Sequence, residues 1–168
     1  MSTIQIRQAV LADLDALTVL FDGYRQFYER DSDLAAARQF LSDRFDHGES
    51  VVFIAHEGSE PVGFAQLYPS FSSVSLGRIF ILNDLFVSER GRRKGVGSRL
   101  ISASVDFAKT VGAIRLALST ASTNANAQAL YEAKGWERDD DFFYVYTMPK
   151  QEHQGRLSGI NGPSPGIG

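Results

Sequence analysis

Leu82-Asn83-Asp84-Leu85-Phe86-Val87-Ser88-Glu89-Arg90-Gly91-Arg92-Arg93-Lys94-Gly95-Val96-Gly97-Ser98 is the stretch on which the fold turns. An apolar run with two polar residues set inside it feeds a basic loop with glycines at 91, 95 and 97. Beyond the loop, Val96, Leu100, Ala103, Phe107 and Val111 recur at helical spacing, so the order is strand, glycine loop, helix. A helix N-terminus offers unpaired backbone N–H groups and the positive end of the dipole, and glycine lets an anion approach that backbone. Arg92, Arg93 and Lys94 add side-chain charge, and phosphate is the expected guest. By itself the loop reads equally well as an ordinary basic turn. The spacing is neither Gly-x-x-x-x-Gly-Lys-Ser/Thr nor Gly-x-Gly-x-x-Gly, which disfavours a Walker-type NTPase and a dinucleotide fold.

Working outward, Ile4 to Arg7 alternates as a short strand, and Leu14, Leu17, Phe21, Tyr24 and Tyr28 mark an amphipathic helix with Asp13 as its expected N-cap. A second helix is expected over Asp33 to Asp46, closed by His47-Gly48. Val51 to Ala55 and Val62 to Tyr68 read as an antiparallel pair around the turn at Glu57 to Glu60, and Arg78 to Val87 as a third strand. Then follow a strand at Ile114 to Leu118, a helix from Asn124 to Lys134 and, after Asp139-Asp140-Asp141, a last strand at Phe142 to Met148. The order β-α-α-β-β-β-α-β-α-β gives an α/β fold on a mixed sheet rather than a doubly wound parallel one. Residues 1–150 form the expected domain, and 151–168, rich in Gly, Ser and Pro, a tail expected to be disordered unless held.

The chain has 168 residues and no cysteine, so it offers neither a disulfide framework nor a thiolate nucleophile or zinc ligand of that type. The net charge of −3 argues against a nucleic-acid binder. That sum conceals two ends. Residues 1–60 hold five Arg against eleven acidic residues, a balance of −6, whereas residues 88–115 hold seven basic residues against two acidic, a balance of +5. Such a division suits one cationic and one anionic ligand, or simply two solvated surfaces. There is no signal-peptide pattern and no apolar run of transmembrane length, so a soluble, cytoplasmic protein with no membrane partner is expected.

Arg92-x-x-Gly95-x-Gly97 after a strand resembles the Arg/Gln-x-x-Gly-x-Gly/Ala pyrophosphate loop of the GNAT N-acetyltransferase superfamily. Asn124-x-x-Ala127-x-x-Leu130-Tyr131-x-x-x-Gly135-Trp136 resembles that superfamily's second signature, Asn-x-x-Ala-x-x-Leu-Tyr-x-x-x-Gly-Phe. The likeness spans residues 4–148. It implies the GNAT acyl-CoA N-acyltransferase fold, with a mostly antiparallel mixed sheet, a splayed parallel pair and about four helices. It also implies acetyl-CoA as the acyl donor, with no metal. Arg92, Arg93, Lys94, Gly95, Val96, Gly97 and Ser98 would cradle the pyrophosphate. Leu85, Phe86 and Val87 would pair through their main chain with the pantetheine arm, given a splay after Val87 and Leu118. Asn124, whose bland role is an N-cap, matches a cofactor-contacting position, and Tyr131 matches the position that protonates the departing CoA thiolate. Without that motif, Tyr131 reads as a core aromatic.

Two polar residues inside an apolar strand are costly to bury unless partnered, and such violations mark functional sites. Asn83 and Asp84 are that violation, on opposite faces if the strand alternates regularly. The stretch resembles the diamine acetyltransferases, with Asn83 where that group carries Glu, and is closer to small members named for histone or D-amino-acid acetylation. Asp84 is read as amine binder or as base through a water, with Asn83 polarising that water or satisfying a backbone group. If Asp84 pairs instead with Arg78 or Arg115, it is structural. Tyr24, Tyr28, Glu29 and Asp84 are the candidate acceptor contacts, with Pro69 to Ser73 as a flap. The expected activity is direct acetyl transfer to a primary amine, whether diamine, lysine-like amine, amino acid or basic peptide, through a ternary complex, by a homodimer. The alternative is a non-catalytic acyl-CoA sensor on the same fold.

Overall fold

The computed structural model describes residues 3–149, and the expected tail at 151–168 lies outside them. The chain divides into two compact units, Met1–Ser119 and Thr120–Gly168.

The first unit is a five-stranded sheet in the order β1-β2-β3-β4-β5. Its strands are β1 (Ile4–Gln8), β2 (Val51–Glu57), β3 (Glu60–Ser72), β4 (Gly77–Val87) and β5 (Arg115–Ala117). The first four are antiparallel neighbours, and β4 and β5 are the parallel pair. Helices α1 (Leu14–Phe27) and α2 (Leu34–His47) cover one face. The other face carries α3 (Val96–Thr110). Period-two alternation sorts the core: Val52, Ile54 and Phe64 pack with Leu17, Phe21, Tyr24 and Leu41, whereas Phe53, Ala55, Ala65 and Leu67 pack with Val96 and Leu100.

Local chemistry sets the helix ends. Asp33 caps α2 by accepting from Ala36 N at 2.9 Å, and Gly48 closes it in the left-handed region. Asp13 is not the side-chain cap of α1. A single 3-10 turn at Leu11–Asp13 precedes that helix, and Asp13 instead accepts from Val10 N at 2.8 Å and from Arg7 at 2.6 and 2.7 Å. Those bonds hold the Asp13 carboxyl down at about 2.

Two further expectations change. Pro69 to Ser72 belong to β3 and pair with Phe80 to Gly77, so the flap is instead the arm of a long hairpin. Pro69 sits where β3 has outrun β2, whose pairing starts at Val51↔Leu67, and a proline is tolerated where no second neighbour needs its N–H. β4 and β5 pair only over Ile79↔Arg115 to Ile81↔Ala117, so the splay begins six residues before Val87.

In the second unit, α4 (Ala125–Ala133) is capped by Asn124, whose Oδ1 accepts from Ala127 N at 3.2 Å. Residues 142–149 form no strand among the described residues, and Phe142, Tyr144 and Tyr146 are exposed. Alternating aromatics confer two faces, but a strand exists only through ladder bonds to a neighbour, and none forms there.

Candidate active site

A one-residue irregularity in β4 builds the site. Gln66 pairs with Asp84 and Leu67 with Leu82, so Asn83 is an extra residue opposite β3. A bulge of this kind re-aims the side chains that follow it. Before it, Phe80 and Leu82 face α3; after it, Leu85 and Val87 do, while Phe86 turns to the α1/α2 face. Asp84 therefore shares that second face, and Asn83 Nδ2 donates to Asp84 Oδ1 at 2.8 Å. The expected placement of the two on opposite faces is corrected by the bulge.

Asp84 is 3% exposed, and its carboxylate is surrounded by neutral donors. Gln66 Nε2 donates to Oδ2 at 2.5 Å, Asn83 to Oδ1, and the Tyr24 hydroxyl also donates. Gln66 Nε2 further donates to the Tyr68 hydroxyl at 3.1 Å. Among the described residues no Lys or Arg forms an ion pair with Asp84, so the structural pairing with Arg78 or Arg115 is not made. Arg78 stacks on Phe71 and Phe80 instead. Burial raises the Asp84 carboxyl above the ordinary carboxylate range, opposed by the bonds from Gln66, Asn83 and Tyr24. Burial also raises the Tyr24 and Tyr68 phenols, with the charge on Asp84 adding to it, so both hydroxyls keep their protons, Tyr24 donating to Asp84 and Tyr68 accepting from Gln66.

Tyr24 stands on the buried face of α1 with its ring 5.0 Å from Tyr28 and 6.4 Å from Phe86. Tyr28, half exposed, lies at the rim, and its phenol is raised by burial and by Asp84. Glu29 is exposed in a left-handed backbone conformation at the end of α1 and makes no hydrogen bond to this cluster among the described residues. Gln66 is the member that the reading of the chain missed. It is wholly buried in an apolar strand, the same violation that marked Asp84, and its Oε1 has no partner among the described residues.

At the other end of β4 the chain passes a 3-10 turn (Glu89–Gly91) into α3. Gly95 caps α3 at φ +72° with no side-chain cap bond, which leaves the first amides of the helix for an external acceptor. A Cβ on Gly95 would meet nothing within 4 Å, and one on Gly97 would come no nearer than 3.7 Å to Val87, so there is room beside the main chain for a bulky anion. Arg92 Nε donates to Val87 O at 3.4 Å, while Lys94 is bound to Glu57. Past Ile81, no strand pairs with the β5 side of β4 among the described residues, so the main chain of Leu85 to Val87 keeps a free ladder edge on that side. These features fit a phosphate-bearing thioester whose arm lies as an added strand.

In the second unit, the Leu130-Tyr131-x-x-x-Gly135-Trp136 signature is a helix C-cap. Gly135 (φ +84°) and Trp136 donate to Glu132 O and Tyr131 O, the two bonds of a Schellman motif, and the Tyr131 and Trp136 rings meet at 6.0 Å. Tyr131 is thereby fixed at the last turn of α4.

The model of the acetyltransferase (GNAT) family matches residues 15–136. The chain belongs to this family. It is 50% identical over 145 residues to an uncharacterized N-acetyltransferase, YhfO of Bacillus subtilis, covering 86% of this chain and 97% of that one. A probable acetyltransferase of Haemophilus influenzae is 32% identical over 74% of this chain and 84% of its own length. The crystal structure of a probable acetyltransferase, 42% identical, shares the fold with a TM-score of 0.79 over 89% of this chain and 99% of that chain. The GNAT expectation thus stands for fold and for acetyltransferase activity, with the parallel pair β4–β5 and four helices in place. No helix among the described residues is long and apolar enough to cross a membrane.

Proposed function

We propose that this acetyltransferase transfers an acetyl group directly from acetyl-CoA to a cationic primary amine, and that Asp84 receives the amine. The observation that carries the reading is a buried carboxylate ringed by neutral donors, with no cation paired to it among the described residues. Such a group is costly unless an ammonium completes it. The acidic balance of residues 1–60 favours the approach of a positively charged acceptor.

Acetyl-CoA supplies an activated thioester and, after transfer, a thiolate leaving group. The amides around Gly95 to Ser98, with Arg92 and Arg93, would hold its phosphates, and the main chain of Leu85 to Val87 its arm. Asn124 at the head of α4 is the further candidate contact. Asp84 first accepts an N–H bond from the ammonium and then takes its proton. In a buried site this transfer removes both charges, which the elevated carboxyl favours. Asn83 and Gln66 hold the carboxyl group in place while the neutral amine attacks. Main-chain N–H groups of β4 would stabilise the oxyanion, and the Tyr131 hydroxyl would protonate the thiolate. With no cysteine in the chain, no acetylated thiol of the protein intervenes.

CoA release measured across a panel of primary amines tests this reading. Turnover should be highest with amines carrying a second positive charge, and Asp84→Asn should abolish turnover while CoA binding persists. Turnover equal to wild type in that variant removes Asp84 from the reaction. A homodimer is part of the same proposal, with the exposed aromatics Phe142, Tyr144 and Tyr146 as its candidate surface, and light scattering of the purified chain decides it.

A further inference from the structure

Glu57 ends β2, paired across the hairpin with Glu60. Both of its carboxylate oxygens are 2.8 Å from Lys94 Nζ, and Arg90 Nε lies 3.6 Å away. The Glu57 side chain is only 10% exposed, although both cations belong to the surface. The same β2–β3 hairpin grips the loop elsewhere. Ser88 N donates to Val62 O at 2.9 Å, and a Cβ on Gly91 would stand 2.9 Å from that oxygen. Between these anchors and α3 the backbone turns through the left-handed region at Arg93 (φ +60°) and Gly95 (φ +72°). For Arg93 that conformation is costly, and it persists only where the surroundings enforce it. Lys94, the residue between them, is the one tied to Glu57.

We propose that Glu57 is a positioning residue of the cofactor loop: by binding Lys94 and Arg90 back to the β2–β3 hairpin, it holds the turn at residues 93–95 that aims the loop amides. Lys94 then shapes the loop rather than contacting phosphate, and Arg92 and Arg93 are the loop cations left for the anion. This inference rests on the acetyl-CoA reading above. A carboxylate beside a phosphate site repels its ligand, so on charge alone its removal tightens binding. Positioning predicts the opposite sign.

Isothermal titration of CoA into the full chain separates the two. In Glu57→Gln, CoA affinity should fall about five- to tenfold despite the gain of one positive charge. Lys94→Met should lose a similar factor, and the double variant should be no weaker than the weaker single one, because both remove one clamp. The salt dependence of CoA binding should be unchanged in Lys94→Met. That variant truncates a surface side chain and carries the test if Glu57→Gln melts early. Equal or tighter CoA binding by a folded Glu57→Gln overturns the proposal. So does a shallower salt dependence in Lys94→Met, which makes Lys94 a direct phosphate ligand. A wild-type chain that binds no CoA overturns the cofactor reading itself.

Discussion

Gln66 Nε2 lies 2.5 Å from Asp84 Oδ2, with the two residues directly paired across β3 and β4. This bond stabilises the ionised form of a carboxylate that burial otherwise pushes toward its neutral form. The groups facing Asp84 are Tyr24 and Tyr28 from α1 and Tyr68 from β3, with Arg44 of α2 acting on Tyr68. Gln66→Met keeps the bulk and removes the donor. The acid limb of the kcat/KM profile should then move to higher pH, with activity at pH 7 falling about ten- to a hundredfold, as for loss of a hydrogen bond to a charged group. Tyr68→Phe leaves the Gln66–Asp84 bond intact and should move that limb less. A profile unmoved in Gln66→Met would show that Gln66 only packs.

Asp84 should also cost the protein stability. Its carboxyl is raised in the folded state, so the native chain holds the proton more tightly than the unfolded one. The Asp84 contribution to stability is therefore most favourable below the ordinary carboxylate range and declines as pH rises toward the elevated folded value. Asp84→Asn removes the charge and retains an oxygen that can accept. At neutral pH it should melt about 4 °C higher, an increment of roughly 1 kcal/mol for a domain of this size, and the difference should vanish as pH falls below the carboxylate range. A lower melting temperature at pH 7 would mean that the ionised Asp84 is fully compensated in the empty protein. Together with the loss of turnover, the expected gain is the exchange of stability for activity that a binding site for a cation imposes.

The bulge explains why half of this site was hidden in the chain. Alternation is read along one strand, and it placed Asn83 and Asp84 apart; the extra residue exists only relative to β3. Asp84 was legible because a lone acid among Leu82, Leu85 and Phe86 breaks the apolar pattern. Gln66 broke it too, between Ala65 and Leu67, but only the register of β3 against β4 sets it opposite Asp84. Helix ends were local enough to read, as Gly48 and Asn124 show. Asp13 was misread because its partner, Arg7, sits on the preceding strand. Phe142 to Met148 had the pattern of a strand, but a pattern cannot supply a neighbour.

The loop glycines should divide in their tolerance. Gly95 caps α3 at φ +72°, where any L side chain is strained whatever the space around it. Gly95→Ala should destabilise the chain by about 1 kcal/mol and raise the KM for acetyl-CoA. Gly97 lies inside the first turn of α3, and its new methyl would come only to 3.7 Å of Val87, an ordinary contact. Gly97→Ala should be neutral or stabilising by about 0.5 kcal/mol through helix propensity, with the KM for acetyl-CoA changed less than in Gly95→Ala. Thermal melts and KM values for the two variants check the contrast. Equal losses in both would mean that the loop is held by ligand space rather than by backbone conformation.

Tyr131 separates packing from chemistry. Its carbonyl accepts from Trp136 N at 3.1 Å and its ring packs on the Trp136 ring, so the aromatic body belongs to the C-cap of α4. Tyr131→Phe retains the carbonyl and the ring. Trp136→Leu, which loses the ring contact, should be less stable by about 1 kcal/mol. If the hydroxyl protonates the departing thiolate, Tyr131→Phe should lower kcat about a hundredfold, the scale of general acid catalysis, with CoA affinity little changed. The deficit should shrink with an acetyl donor whose thiol is more acidic, because a better leaving group needs less help from a proton. A Tyr131→Phe chain with wild-type kcat would remove the hydroxyl from the chemistry and leave the thiolate to another acid.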